Sequence, residues 1–471
     1  MSLPGRALLT TLALALAVTL TACTRLPRLV PDLARPSGGP PQMVGARGPL
    51  SAAQRQATLD ALKAGSADTS IFERHLALEE AIVGSPLTTG NAVTLLQDGP
   101  ATYRAMLAAI TAARNHIHME TYILDDDEVG QRFAQELIAK QMQGVQVHLM
   151  HDSVGTRGTP KAFFDRLSAS GIQVLEFNPI NPLIARAEGE LNQRNHRKLL
   201  IVDGKTAFLG GINISSVYSS GSFSQTSRAR PAAAPVGEPG SDLAWRDTDM
   251  QLRGPVVADF QRLFIASWEQ QKGPPLAPRN YFPPPQVAGK EVVRAIGSSP
   301  SDPFSQIYAT LLSAIASAET GVHITNAYFA PDPQLLTALK AAAARGVDVT
   351  LILPSKTDSW LVFHAGRGYY DELLSAGVKI YERRGVILHS KTVLIDGVWA
   401  SIGSTNLDWR SFLHNYELNA VVLGADFGRQ VRAMFDKDLA ASDVVNLQAW
   451  RQRGLELRLR EWFSRQWEYW L

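Results

Sequence analysis

Apolar residues along the chain recur in blocks that appear twice in the same order. In the first copy an apolar helical stretch leads to a β-forming segment and, after a second helix, to another: Met106–Ile110, Ile117–Tyr122 and Gly144–Leu149. The second copy repeats this order at Leu311–Ile315, Val322–Tyr328 and Gly346–Leu351. In each copy a further helical block follows, with a glycine near its end, at Phe163–Ile172 and Tyr369–Val378. Strands and helices that alternate in this way predict βαβ units.

The repeat predicts a duplicated α/β protein. Two similar halves, each an α/β/α sandwich, are expected at residues 89–272 and 290–445, with a pseudo-twofold axis between them. Residues 219–241 interrupt the first copy only, and their Ala, Pro and Gly content favours a disordered surface insertion over a lid. Residues 51–84 carry helical spacing and predict a helical segment before the first half.

The composition is that of a folded protein. Over 471 residues, 45% are hydrophobic and 19% are charged, which excludes general disorder. This length is sufficient for two domains of ordinary size, each with its own core. The formal net charge is only +2, so charge gives no indication of a nucleic-acid partner.

The first residues are typical of an export signal. Arg6 precedes an apolar stretch at Leu8–Leu20, and the segment Leu20–Cys23 has the small residues of a cleavage site before the chain's single cysteine. This ending resembles a bacterial lipobox, in which the cysteine is acylated and becomes the first mature residue. We therefore expect a signal peptide at 1–22, a tether within 23–88, and a lipoprotein of the cell envelope with its body outside the cytoplasm. An uncleaved anchor with an incidental cysteine is the alternative.

Each half carries one copy of the pattern H-x-K-x4-D, at His196–Asp203 and His389–Asp396. Both aspartates precede a glycine, and Asp-Gly after a run of β-formers is typical of a hairpin turn. An asparagine follows each histidine by the same interval of 17 positions, at Asn213 and Asn406. Two independent matches of this length indicate a duplicated functional motif.

The spacing of the motif indicates phosphodiester chemistry. Alternate residues of a strand face the same way, so His196 should project with Lys198, and His389 with Lys391. Two lysines balance the charge of a phosphodiester and the charge that develops in its transition state. One histidine can attack phosphorus while the other protonates the departing alcohol. We expect neither a metal nor another cofactor, and activity that survives a chelator.

The two motifs resemble those of the phospholipase D superfamily, over nearly all of residues 90–445. The second half is similar to bacterial cardiolipin synthases at Asn326–Asp332, at Arg345–Val349, at Pro354 with Asp358, and at Gly403–Ser411. The first half agrees through Glu120–Tyr122 and Asn195–Lys198. The resemblance implies a duplicated phospholipase D-like fold and a covalent phosphohistidine intermediate.

The resemblance also implies roles for single side chains. It makes His196 the nucleophile and His389 the general acid, although the internal symmetry permits the reverse. The motif aspartates Asp203 and Asp396 complete the catalytic set as supporting residues that carry no proton. Five side chains are expected on the phosphate: Lys198, Lys391, Asn213, Asn406 and Ser404.

A further carboxylate is expected to hold the far ring nitrogen of each histidine. Glu417 fits this role for the second copy, 28 positions after His389. In the first copy the insertion at 219–241 changes the interval between the motif histidine and this carboxylate, so the same count cannot be used. Aligning Arg246–Asp249 with His414–Glu417 favours Asp249, with Asp247 close behind, and the choice stays open.

The expected reaction is transfer of a phosphatidyl group between two phosphatidylglycerol molecules, giving cardiolipin and glycerol. A phospholipase D that uses water as acceptor is the alternative, since the same residues serve both reactions. A nuclease is disfavoured by the lipid anchor and the modest charge, so no nucleic acid is expected as partner. A scaffold without activity would have a broken motif, and both motifs are complete.

Two remaining features are open to structural explanations. His116, His118, His148 and His151 lie on or beside predicted strands and are expected to be structural. Residues 446–471 place leucine and tryptophan at helical spacing among arginines. This pattern suits a membrane interface and a closing helix packed on the core equally well.

Overall fold

The computed structural model describes residues 29–30, 41–65, 69–180, 192–220 and 243–470. The expected signal segment, Cys23 and residues 221–241 of the insertion lie outside the described residues. The described chain begins with a small hairpin and two helices: β1 (Met43–Gly45), β2 (Gly48–Pro49), α1 (Ala52–Ala64) and α2 (Ile71–Ile82). The segment predicted as helical thus holds two helices.

The first half follows the predicted alternation of strands and helices. Its elements are β3 (Leu87–Gln97), α3 (Asp98–Ala112), β4 (His116–Thr121), α4 (Glu128–Met142), β5 (Gln146–Asp152), α5 (Lys161–Ala169), β6 (Gln173–Phe177), β7 (Arg194–Asn195), β8 (Leu199–Val202), β9 (Thr206–Gly210), β10 (Trp245–Arg246), β11 (Thr248–Arg253) and α6 (Val257–Gln270).

The second half repeats this order with a few additions. Its elements are β12 (Glu291–Ser298), α7 (Gln306–Ser317), β13 (Gly321–Asn326), β14 (Phe329–Ala330), α8 (Pro333–Ala344), β15 (Asp348–Pro354), α9 (Trp360–Arg367), α10 (Tyr370–Ser375), β16 (Lys379–Arg383), β17 (Ile387–Leu388), β18 (Lys391–Ile395), β19 (Trp399–Gly403), β20 (Leu407–Asp408), α11 (Trp409–Leu413), β21 (Asn415–Leu423), α12 (Ala425–Ala440) and β22 (Ser442–Val444). Two helices close the chain, α13 (Leu447–Arg451) and α14 (Leu455–Arg465).

Strand pairing gives the two halves the same mixed sheet. The order is β6-β5-β4-β8-β9-β11-β3 in the first half. It is β16-β15-β13-β18-β19-β21-β12 in the second. The two innermost strands, β3 and β12, pair antiparallel and join the sheets. The duplicated α/β fold is therefore confirmed, and a twofold operation exchanges equivalent strands.

The halves share a hydrophobic core. One cluster of buried side chains includes Leu209 and Met250 of the first half together with Ile402 and Ala420 of the second. Separating the halves would return this surface to water, at a cost of roughly 1.5–3 kcal/mol for each large side chain. The site that lies between them is consequently built on a rigid junction.

The two Asp-Gly dipeptides form the predicted hairpin turns. Asp203 and Gly204 join β8 to β9 with φ of 55° and 62°, and Asp396 and Gly397 join β18 to β19 with φ of 50° and 67°. Consecutive residues with positive φ are what a type I′ turn requires, and aspartate and glycine tolerate it. Among the described helices, none is long and apolar enough to cross a membrane.

Candidate active site

Short strand pairs that cross between the halves position the two histidines. β7 pairs in parallel with the start of β21, and β10 pairs in parallel with β17. Beyond these pairs, the N–H of His196 donates to the carbonyl oxygen of Tyr416 at 3.0 Å, and the N–H of His389 donates to that of Arg246 at 2.8 Å. The residue after each carbonyl is acidic, so each histidine lies beside a carboxylate of the other half.

Those two carboxylates hold the imidazole rings. His196 Nδ1 lies 3.0 and 3.1 Å from the two oxygens of Glu417, and His389 Nδ1 lies 2.7 Å from Asp247 Oδ2. Both carboxylates are fully buried. The expectation that Glu417 serves the histidine of its own copy is wrong, because the partnerships cross between the halves. The preference for Asp249 is also wrong; its carboxylate accepts a hydrogen bond from the N–H of Met250.

The strand register explains why the two copies were aligned wrongly. Gly210 and Gly403 occupy equivalent places in the motifs, and they pair with Asp249 and Asn419, respectively. Asp249 is therefore the counterpart of Asn419, and Asp247 is the counterpart of Glu417. A shift of two residues along a strand keeps side chains on the same face. The alternation of apolar and polar residues therefore could not reveal the misalignment.

The residues behind the two carboxylates differ between the halves. Ser404 donates its hydroxyl hydrogen to Glu417, so the structure places it on the carboxylate. Ser404 therefore supports the carboxylate, and phosphate binding by its hydroxyl stays a prediction. Its counterpart is Gly211, where an added Cβ would lie 2.2 Å from Asp247 Oδ1. The missing side chain provides the space in which Asp247 lies.

Both motif lysines are buried beside their histidines. Lys198 Nζ donates to the carbonyl oxygen of His196 at 2.5 Å, and Lys391 Nζ lies 2.9 Å from His389 Nδ1. Burial, and then the charge of Lys391, lowers the pKa of Lys198 to about 7. Burial lowers the pKa of Lys391 to about 8 against the attraction of nearby carboxylates. Two buried ammonium groups, of which one lowers the pKa of the other, favour an anion in the site.

The histidines are held in their neutral form. Burial lowers the pKa of His196 to about 4, and burial followed by the two lysines lowers the pKa of His389 well below its usual value. For Glu417, His196 and Lys198 outweigh burial and lower the pKa. A neutral imidazole that donates its Nδ1 hydrogen to a carboxylate keeps a lone pair on Nε2. Such a nitrogen can attack an electrophile.

Two tyrosines form matching walls of the site. The Tyr122 ring lies 5.2 Å from the His196 ring and 5.2 Å from Lys198 Nζ. The Tyr328 ring lies 6.0 Å from the His389 ring and 6.0 Å from Lys391 Nζ. Tyr122 is the first residue after β4 and Tyr328 the second after β13, so the two rings come from positions one residue apart in the repeat. The sequence did not indicate their role beside the lysines.

The two asparagines are buried in the same region. Asn213 Nδ2 donates to the hydroxyl of Tyr218 at 3.0 Å, and Asn213 Oδ1 accepts from the N–H of Ile123 at 3.1 Å. Tyr218 in turn lies 3.3 Å from His389 Nδ1, a contact between halves that the sequence did not indicate. Within the described part of the chain, Asn406 Oδ1 has no hydrogen-bond partner. Phosphate binding by these asparagines stays a prediction.

The motif aspartates lie away from the site. Each motif aspartate is five positions after its lysine along an extended strand, a separation of about 16 Å. The Asp203 carboxylate accepts from the backbone N–H groups of residues 114–116, and Asp396 accepts from those of residues 319–321. The two aspartates fix the starts of β4 and β13. Their role is therefore structural, and the expectation that they belong to the catalytic set is corrected.

Two halves that each contribute a histidine, a lysine and a buried carboxylate to one pocket define a phospholipase D-like fold and site. The family model described as "Cardiolipin synthase, PLD-like domain" matches residues 106–221 and 311–439. The protein belongs to this family.

Curated relatives extend the match over most of the chain. A cardiolipin synthase of Geobacillus kaustophilus is 34% identical over 81% of this chain and 72% of its own length. Cardiolipin synthase 2 of Bacillus anthracis is 36% identical over 78% of this chain and 68% of its own length. Among solved structures, a phosphatidylserine synthase of Haemophilus influenzae matches with a TM-score of 0.60 at 13% identity, over 83% of this chain and 99% of its own. That likeness concerns the fold.

Proposed function

We propose that the protein is a phosphatidyltransferase that makes cardiolipin and glycerol from two phosphatidylglycerol molecules. The observation that carries the proposal is the pair of neutral histidines, each held by a buried carboxylate of the other half beside a buried lysine. The similarity to cardiolipin synthases supports the lipid substrate.

In the first step His196 Nε2 attacks the phosphorus of one phosphatidylglycerol. The N–P bond forms as the P–O bond to the glycerol headgroup breaks, and His389 gives its proton to the departing glycerol oxygen. Glu417 stabilises the positive charge that His196 acquires. The product of this step is a phosphatidyl group bound to His196.

In the second step the glycerol hydroxyl of another phosphatidylglycerol attacks the same phosphorus. Its proton passes to His389, the new P–O bond forms, and the N–P bond to His196 breaks. Both histidines return to their starting states, and the product is cardiolipin. Water in place of the alcohol would give phosphatidic acid instead.

The bound phosphate restores the charges that burial suppresses. In the substrate-free site, burial and mutual repulsion hold the pKa values of Lys198 and His389 low. A phosphodiester anion between the halves removes part of that repulsion and raises both pKa values. Substrate binding therefore favours the protonated form of the general acid.

Product analysis with phosphatidylglycerol vesicles tests the proposal. The purified protein should release cardiolipin and glycerol in equal amounts, and should do so in the presence of a strong chelator. Phosphatidic acid as the main product would replace the transferase by a hydrolase. No product from phosphatidylglycerol would overturn both.

The localisation is a separate proposal, which rests on the segment Leu20–Cys23. Cleavage before Cys23 and acylation of its thiol would attach the body to the cell envelope outside the cytoplasm. The long tether expected after Cys23 is corrected by the structure, because Leu29 and Val30 are buried against the body and their N–H groups donate to Gln334 Oε1. Only residues 24–28 separate Cys23 from this packed segment, so an acylated Cys23 would hold the body close to the membrane surface.

A further inference from the structure

The C-terminal helix α14 and the turn after it expose their apolar side chains. We define the C-terminal apolar face as six residues that are 48–70% exposed: Leu455, Leu459, Trp462, Phe463, Trp467 and Trp470. In the part of the chain that the structure describes, thirteen large apolar residues are exposed, and six of them lie in this one short segment. A concentration of this kind marks an interaction surface.

Polar side chains occupy the inward side of this segment, and those of Arg465 and Glu468 contact Tyr369 of the body. Glu461 is buried and pairs with Arg453 at 2.6 Å, Ser464 is fully buried, and Glu468 accepts a hydrogen bond from the Tyr369 hydroxyl at 2.5 Å. A helix that closes a core shows the reverse arrangement, with apolar residues inside. The apolar face is consequently not used in packing α14 onto the protein.

Arginines border the apolar face on both sides. At about 100° per residue, Arg458 and Arg460 project on opposite sides of the apolar stripe. Residues 451–470 hold five arginines and three glutamates. Arg451, Arg453 and Arg460 form ion pairs with Asp371, Glu461 and Glu456, and Arg458 and Arg465 add positive charge to the segment. Tryptophan and leucine flanked by arginine suit the boundary between headgroups and acyl chains of an anionic bilayer.

One helix lies between this segment and a short strand beside the active site. α14 packs on α9, and α9 packs on β14, which begins directly after the site residue Tyr328. The Tyr469 ring lies 5.5 Å from Trp409, three positions after Asn406. A membrane bound at the apolar face would therefore bring lipid headgroups close to the histidines.

We propose that the C-terminal apolar face docks on a bilayer containing anionic phospholipids and holds the active site at its surface. This surface acts in addition to any N-terminal anchor and does not depend on which alcohol or water molecule accepts the phosphatidyl group. It buries tryptophan and phenylalanine side chains below the headgroups and places Arg458 among the phosphates.

Hydrogen exchange of the full chain tests the docking directly. Vesicles of phosphatidylglycerol and phosphatidylcholine should slow amide exchange in residues 455–470, whereas vesicles of phosphatidylcholine alone should do so much less. This readout is local, so an N-terminal anchor does not produce it. Unchanged exchange in residues 455–470 with anionic vesicles would overturn the proposal, as would protection that rises with protein concentration without lipid, which indicates a second copy as the occupant.

A double variant, Trp462→Ser with Phe463→Ser, tests the consequence for activity. It should bind anionic vesicles on the order of tenfold more weakly and lose a comparable factor of kcat/KM on vesicles. On short-chain phosphatidylglycerol dispersed as monomers its activity should match the wild type. The matched control, Met142→Ser with Val444→Ser, removes exposed apolar residues elsewhere and should change neither.

The two proposals fail in different ways. Wild-type protein inactive on monomeric phosphatidylglycerol would contradict the proposed function while leaving the exchange result intact. Equal losses on vesicles and on monomers in a correctly folded double variant would contradict the docking surface alone.

Discussion

Asp247 and Asp249 lie two residues apart and differ in what their carboxylates contact. Asp247 holds His389 at 2.7 Å, whereas Asp249 accepts only from the N–H of Met250 among the described residues. Asp247→Asn should lower kcat by about 10²–10⁴-fold, because an amide does not stabilise the imidazolium and favours the wrong tautomer. Steady-state kinetics with phosphatidylglycerol measure this.

Asp249→Asn is the matched control. Burial raises the pKa of Asp249 well above its usual value, so asparagine is close to its neutral form in shape and charge. Its kcat should stay near that of the wild type. A larger loss in Asp249→Asn than in Asp247→Asn would contradict the assignment of the carboxylate.

A substrate with a good leaving group can distinguish the nucleophilic histidine from the histidine that acts as general acid. A nitrophenol needs little protonation, so His389→Ala should recover much of its activity on a nitrophenyl phosphodiester lipid, whereas His196→Ala should not. Only His389→Ala should still form a covalent adduct with labelled substrate. An adduct in His196→Ala but not in His389→Ala would exchange the two roles.

The sequence predicted the histidines and lysines of the site because their intervals repeat between the copies. It did not predict their carboxylate partners, because counting within one copy presumes that each half completes its own site. The strands β7 and β10 are only two residues long, and no pattern in them indicates pairing with the other half. Likewise, nothing distinguished Gly211 from an ordinary loop glycine.

At the scale of elements, Asp396 joins a hairpin turn to the start of β13. Its carboxylate accepts from three backbone N–H groups and from the hydroxyl of Thr69 at 2.6 Å. Asp396→Ala should lower the free energy of unfolding by about 2 kcal/mol, since hydrogen bonds to a charged group are lost. Urea unfolding measures this, and the kcat of the folded fraction should change little. A loss of kcat with unchanged stability would return this residue to the chemistry.

The C-terminal segment shows where helical periodicity is insufficient. The spacing of Leu455, Leu459 and Trp462 predicts an amphipathic helix, and α14 is one. Which face turns inward depends on partners that the periodicity does not show, such as Tyr369, 99 positions before Glu468, and Arg453, just before the helix, for Glu461. From the sequence, packing on the core and contact with a membrane explained the pattern equally well. The structure shows that the C-terminal apolar face does not pack on the core.

At the scale of the whole molecule, duplication made the fold predictable. Two copies of one strand and helix pattern restrict the topology to two equivalent sheets, and strand pairing confirms that arrangement. The join through β3 and β12 was not predicted, because an edge pairing between halves has no signature in either copy.

Membrane attachment through Cys23 stays a prediction about the whole protein. Cys23→Ala should abolish incorporation of a labelled fatty acid and leave the protein unprocessed or released from the envelope. Cell fractionation with fatty-acid labelling measures both, and Cys23 is the only cysteine, so no second thiol confuses the result. Equal labelling of wild type and variant would contradict the lipoprotein prediction.

Buried neutral histidines should make the fold sensitive to acid. Burial lowers the pKa of His148 and of His151 to about 4 and that of His75 to about 3. The unfolded chain binds these protons near pH 6.5, so between about pH 6.5 and 4 it holds more protons than the folded chain. The stability from these groups is complete above pH 6.5 and decreases as the pH falls, by about 1.4 kcal/mol per pH unit for each histidine.

His148→Phe isolates one of these groups. Neither ring nitrogen of His148 has a hydrogen-bond partner among the described residues, and the ring packs edge-on against Trp268 at 5.3 Å. Phenylalanine therefore keeps the packing and removes the titration. Urea unfolding between pH 6.5 and 4.5 should show a pH slope smaller by about one proton than in the wild type. An unchanged slope would mean that His148 does not stay neutral when the protein folds, and that other groups cause the acid sensitivity.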